Sequence, residues 1–133
     1  MKALIVIFPE FFMWLGPFKW PMVLLSALVV VLVIKKVIEL ALPGISQARK
    51  ASGVNAILFW GVMSMALGVF SQTVSLWAAL QEIVKAADIS PAIVMIGFYG
   101  SFISTLLGTA TLIFAALAWW TFRFLLKKPA PEV

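Results

Sequence analysis

The sequence predicts an all-α integral membrane protein: three transmembrane helices, N-terminus out and C-terminus in, preceded by an N-terminal interfacial segment. Three observations predict it. Hydrophobic residues make up 64% of the 133 residues, charged residues only 11%, and the mean hydropathy is +1.13, whereas soluble domains run near half apolar and about a quarter charged. Proline, glycine and charge divide the chain into long apolar stretches. Lys and Arg gather on one side of those stretches.

Composition also removes whole classes of chemistry. Cysteine and histidine are both absent, which excludes disulfide frameworks, thiolate catalysis, histidine metal sites and Ser-His-Asp triads. The five carboxylates show no paired spacing suited to acid–base work, so no enzyme, cofactor or metal is expected. A net charge of +5 suits the anionic headgroups of a lipid bilayer. It does not suit nucleic acid, because no basic cluster stands beside a folded reading element. At this length the chain is a single membrane domain over 1–133.

Residues 1–16, from "MKALIVIFPEFFMWLG", resemble a signal peptide at the start. Pro9 and Glu10 interrupt the apolar run and no small-residue cleavage site follows, so the segment is expected to be retained. Its aromatic residues with Lys2 and Glu10 fit the headgroup layer, and an uncleaved, unanchored tail is the other reading of the same residues. The first long helix is expected over 17–42, with Pro21 in its first turn and Pro43-Gly44 as its stop. Lys19 and Lys35 are then placed to snorkel at opposite faces. The second is expected over 55–86 with Asn55 as its cap, and the third over 91–127, opened by Ser90-Pro91. "LPGISQARKASG" reads as a plain connector between the first two, and 128–133 as a tail. The last two helices are expected to form a long antiparallel hairpin exceeding the bilayer thickness.

Orientation follows from seven basic residues against three. Lys35, Lys36, Arg49, Lys50, Arg123, Lys127 and Lys128 lie on one side, and Lys2, Lys19 and Lys85 on the other. The richer side faces the cytoplasm.

Small residues recur at helical spacing on both long helices. Gly61, Ser64, Gly68, Ser71 and Ser75 form one row; Gly97, Ser101, Ser104, Gly108 and Thr111, continued by Ala115 and Ala118, form another. Steps of three and four put each row on one face. In lipid, small side chains let backbones approach closely, so these rows predict tight packing within the chain or between copies. Phe59, Trp60, Phe70, Phe114, Trp119, Trp120 and Phe122 are left for lipid and interface positions. Packing alone does not require a second polar set off the seam, Gln72, Thr73, Thr105 and Thr109. These can line a hydrated path, although a membrane threonine ordinarily bonds back to its own helix. No Asp, Glu or His lies within the membrane portions of these helices, so a proton path needs a carboxylate from another chain.

The stretches "GVMSMALGVFSQTVSLWAALQEI" and "ISPAIVMIGFYGSFISTLLGTATLIFAAL", followed by a basic cytoplasmic end, resemble the last two helices of the MotA/TolQ/ExbB proton-channel family. The matching positions are Thr73 and, in "STLLG", Thr105 with Gly108. The resemblance covers residues 56–118. The short first connector departs from the large cytoplasmic region common in that family, and Gly100 stands where a charged residue is common. The resemblance implies a bacterial inner-membrane, multi-pass subunit. It further implies a homo-oligomer of five copies around a single-span partner of the MotB/TolR/ExbD type carrying a membrane Asp. Inward ion flow past Thr73 and Thr105, driven by the proton motive force, would power mechanical work in such a stator.

Two other readings use the same residues. A small structural or assembly subunit, without conduction, explains the small-residue rows and short loops. A homodimeric small-solute transporter predicts a broken membrane helix, and the last two helices carry no internal proline.

Overall fold

The structure, a computed structural model, describes residues 18–85 and 90–127. The expected interfacial segment 1–16 and tail 128–133 lie outside the described residues. Among the described residues four helices follow in order: α1 (Lys19–Ala41), α2 (Gln47–Ala51), α3 (Val54–Lys85) and α4 (Pro91–Lys127). Three stretches are long and apolar enough to cross a membrane, Lys19–Ala41, Ala48–Lys85 and Pro91–Lys127, as in a multi-pass membrane protein.

Each helix ends where its sequence stops supporting it. α1 carries Pro21 in its first turn, where a missing N–H costs no helical bond. It closes with the Leu42 amide donating to the Ile38 carbonyl at 3.1 Å, before Pro43 and Gly44, whose φ of +93° only glycine adopts freely. α4 opens at Pro91, with the Ile93 amide donating to the Ser90 carbonyl at 3.0 Å. α3 has 32 residues and α4 has 37. At about 1.5 Å per residue they measure ~48 and ~55 Å, well beyond the ~30 Å of hydrocarbon in a bilayer.

The connector after α1 is not a plain loop. Ser46 sits extended ahead of α2 and its carbonyl receives the amides of Arg49 and Lys50 at 3.0 and 3.1 Å. "QARKA" is made of good helix formers, and the turn they form swings into α3 through Gly53 at φ +80°. Asn55 is likewise not the cap of α3, which begins one residue earlier at Val54. The Asn55 side chain instead accepts a hydrogen bond from Trp119 Nε1 at 3.0 Å, joining the first turn of α3 to the last third of α4.

α3 and α4 make the main packing contact, along their small-residue faces. Gly61 stands against Ala115 and Leu112, Gly68 against Ser104 and Thr105, and Gly97 opposite Ala79. Contact positions therefore fall on α4 as they climb on α3. At one end the same two faces continue with bulky residues: Val54 and Ile57 on α3, Phe122 on α4. These three, with Val29 of α1 and Ala115, form the buried apolar cluster, and Trp60, Trp119 and Ala118 pack against it.

Phe122 thus belongs to the core, not to the lipid surface, and Trp60 and Trp119 are half-buried. Continuing the three-and-four spacing from Thr111 through Ala115 and Ala118 lands on position 122, so the ring lies on the packing face. Phe59, Phe70, Phe114 and Trp120 are exposed.

Candidate functional site

The α3–α4 contact places polar groups in an apolar setting, and each needs a partner. Ser64, Ser71, Ser101, Ser104 and Thr111 are buried. Ser71 Oγ donates to Ser104 Oγ across the helices at 3.2 Å. Ser101 donates to its own helix at the Phe98 carbonyl, 2.7 Å away. Thr111 donates to the Leu107 carbonyl at 2.9 Å, leaving its oxygen free to accept from Ser26 of α1 at 3.0 Å. That bond ties α1 to the seam. Ser64 Oγ is fully buried and has no hydrogen-bond partner among the described residues.

The close approach itself rests on three glycines, and at Gly61 a methyl would stand 2.5 Å from the Ala115 Cβ. A methyl at Gly108 would stand 2.7 Å from the Ser64 carbonyl oxygen and 3.0 Å from the Met65 Cα; one at Gly68 would stand 2.7 Å from the Ser104 carbonyl oxygen. At Gly108 and Gly68 the obstacles are backbone atoms, which cannot swing aside. Gly97 differs. It is exposed, and a methyl there would meet Ala79 Cβ at 3.8 Å, an ordinary contact. Ser75 is half-buried, so both rows open toward this end of the helices.

The four expected ion-path residues fall into different environments. Gln72 and Thr105 come together: Thr105 Oγ1 donates to Gln72 Oε1 and also faces the Gly68 carbonyl at 3.3 Å. Both are half-buried at the edge of the α3–α4 contact, beside the Ser71–Ser104 bond. They belong to the seam's margin, not to a separate face, because Gln72 is four residues beyond Gly68 and Thr105 directly follows Ser104. The result is a polar cluster built from two neighbouring residues on each helix, 71–72 and 104–105, near the middle of both.

Within this cluster, the Gln72 amide nitrogen donates to nothing among the described residues, so the cluster's edge offers N–H donors outward. The Thr105 oxygen retains acceptor capacity. Thr73 is exposed and donates back to the Val69 carbonyl at 2.9 Å; it does not meet Thr105 within one chain. Thr109 is half-buried on α4.

Sequence reasoning missed Lys36. The sequence counts it only among the basic residues of one side, yet it is 6% exposed and its ammonium donates to Glu39 at 2.7 Å and to the carbonyls of Ser52 and Lys50 at 2.6 and 3.3 Å. Those carbonyls lie at the C-terminal end of α2, where a cation is favoured. The available signal was the Lys36–Glu39 spacing of three, which pairs side chains on one helical face. Trp119 was also missed as an anchoring residue: besides its bond to Asn55, its ring lies under the Arg123 guanidinium, 5.1 Å from the centroid. Compared with protein-family models, curated proteins and solved structures, the chain matches none.

Proposed function

We propose that the chain is a ring-forming subunit of an ion-motive-force-driven channel, a proton-driven stator, in which a single-span partner supplies the titrating carboxylate. The observation that carries this reading is the half-open Gln72–Thr105 pair near the middle of two long membrane helices whose apolar portions hold no carboxylate. An ionised acid accepts from the outward N–H groups of Gln72, and the same acid when protonated donates to the Thr105 oxygen. A neutral pair of this kind serves both protonation states, whereas a fixed Lys would hold the acid in its charged form. Each proton crossing the membrane supplies about 2.3 kcal/mol per 100 mV, enough to drive stepwise motion between ring and partner when repeated.

In this reading α3 and α4 form an antiparallel hairpin with the N-terminus outside a bacterial inner membrane and the basic ends of α1, α2 and α4 in the cytoplasm. Five copies surround a partner dimer of the MotB/TolR/ExbD type, and Thr73 of one copy approaches Thr105 of the next. The exposure of Thr73 in the single chain supports that assignment.

A second reading, a structural or assembly subunit without conduction, is favoured by the Thr73 bond to Val69 and by the Ser71–Ser104 bond, which are also what a purely packed seam needs. Ion flux separates the two. In vesicles holding the complex purified from its native membrane, the double substitution Thr73→Val with Thr105→Val abolishes proton uptake and leaves the assembly intact. Undiminished uptake in that variant removes the role of these threonines, and absence of uptake by the wild type leaves the structural subunit.

A further inference from the structure

Where α1 ends, α2 and the start of α3 fold back against it and enclose a cavity of about 240 Å³ lined by Lys35, Lys36, Glu39, Arg49, Ser52 and Gly53. Three cations face one carboxylate. Lys36 is wholly engaged by Glu39 and the two α2 carbonyls, so it satisfies Glu39 and anchors the wall. Lys35 and Arg49 are exposed and form no ion pair among the described residues. The first turn of α3 begins at the same wall, where the positive end of the helix dipole adds to the cationic side chains. The cavity therefore presents an excess of positive charge and hydrogen-bond donors. It is smaller than the roughly 300–1,000 Å³ of drug-sized ligand pockets and suits a compact anion.

A second feature says what kind of molecule bears that anion. An apolar groove of about 340 Å³ runs on the outer face of α1 along Val31, Ile34 and Ile38 and shares Lys35 and Glu39 with the cavity. Val31, Ile34 and Ile38 are all more than two-fifths exposed. A polar, cationic chamber thus opens directly onto an apolar track on a membrane-spanning helix. Basic pockets at helix ends are where acidic lipid headgroups dock.

We infer that this chamber binds the phosphate of an acidic phospholipid, with Lys35 and Arg49 as its ligands and the α1 groove receiving an acyl chain. Bound there, the lipid bridges α1 to the α2 turn and joins two elements that Lys36 connects from inside. The site is separate from the Gln72–Thr105 cluster and stands or falls independently of conduction.

Native mass spectrometry of the full chain in gentle detergent tests it, with phosphatidylglycerol, phosphatidylcholine or inorganic phosphate added. The wild type retains phosphatidylglycerol in preference to phosphatidylcholine. Lys35→Gln with Arg49→Gln weakens that retention by roughly 25- to 30-fold, at about fivefold for each cation removed. Arg123→Gln with Lys127→Gln, which removes as much charge from a different basic surface, retains the lipid as the wild type does. Equal loss in both double variants means a general charge effect and overturns the site. Unchanged retention in the Lys35/Arg49 variant overturns it too. Displacement of the lipid by equimolar inorganic phosphate assigns the chamber to the free anion and overturns the lipid. Circular dichroism of each variant, with Lys35→Arg and Arg49→Lys restoring retention, separates lost binding from lost fold.

Discussion

The decisive residues are the smallest. Gly68 and Gly108 face backbone across the α3–α4 contact, and between membrane helices dispersion at close range is the principal attraction, since lipid tails are as apolar as leucine. A Val at position 108 forces the helices apart, and overpacking of this kind costs about 1–3 kcal/mol. Gly108→Val therefore lowers the thermal midpoint of the detergent-solubilised protein. Gly97→Ala acts oppositely. Its methyl meets Ala79 at contact distance, and replacing glycine inside a helix gains about 0.5–1 kcal/mol. A thermal melt of the two variants beside the wild type checks both signs. If Gly108→Val melts with the wild type, the seam is not what holds α3 to α4. The buried Ser64 hydroxyl, without a partner among the described residues, marks the same seam. An apolar group of similar size there removes a desolvated donor and acceptor without opening a cavity.

At the scale of elements, the short α2 owes its place to Lys36. Its ammonium gathers the carbonyls of Lys50 and Ser52 while Glu39 balances its charge. Lys36→Met leaves Glu39 without its partner and α2 without its anchor. The loss of the three hydrogen bonds made by this nearly buried ammonium is felt first as local opening. Trypsin then cuts after Arg49 and Lys50 faster in Lys36→Met than in the wild type, while Lys85→Met, which removes an exposed amine at the far end of α3, leaves the cutting rate at Lys50 unchanged. Equal cutting rates in all three proteins would show that Lys36 does not hold α2.

Much of this architecture is legible in the sequence because its causes are local. Hydropathy and Pro/Gly punctuation mark the long helices, and the three-and-four recurrence of Gly and Ser marks the faces of α3 and α4 that meet. What escapes is decided by contacts distant in sequence. Phe122 is an aromatic residue near a basic end, a common interfacial pattern, and only its packing with Val29 of α1 and with Val54 and Ile57 of α3 puts it in the core. Asn55 has the chemistry of a cap, but Trp119, far along α4, recruits its side chain. Gln72 and Thr105 are 33 residues apart; hydropathy shows each as polar, and only the register of α3 against α4 shows them bonded.

Across the whole molecule, a single chain leaves much apolar surface uncovered. Trp77 is 65% exposed, Val84 86%, Met95 65% and Tyr99 75%, concentrated where α3 ends and α4 begins. Both helices are longer than the hydrocarbon layer, so lipid does not cover every such residue at once, and neighbouring copies in a ring would. The proposed division of roles is thus a wall of uncharged polar residues repeated around a ring and an acid brought by a different chain. Native mass measurement of the complex, extracted from its own membrane in gentle detergent, tests this most directly. The account predicts five copies of the 14.6 kDa chain accompanied by a second polypeptide with one membrane span bearing an Asp. A lone 14.6 kDa chain, with no companion and no second copy, would contradict it.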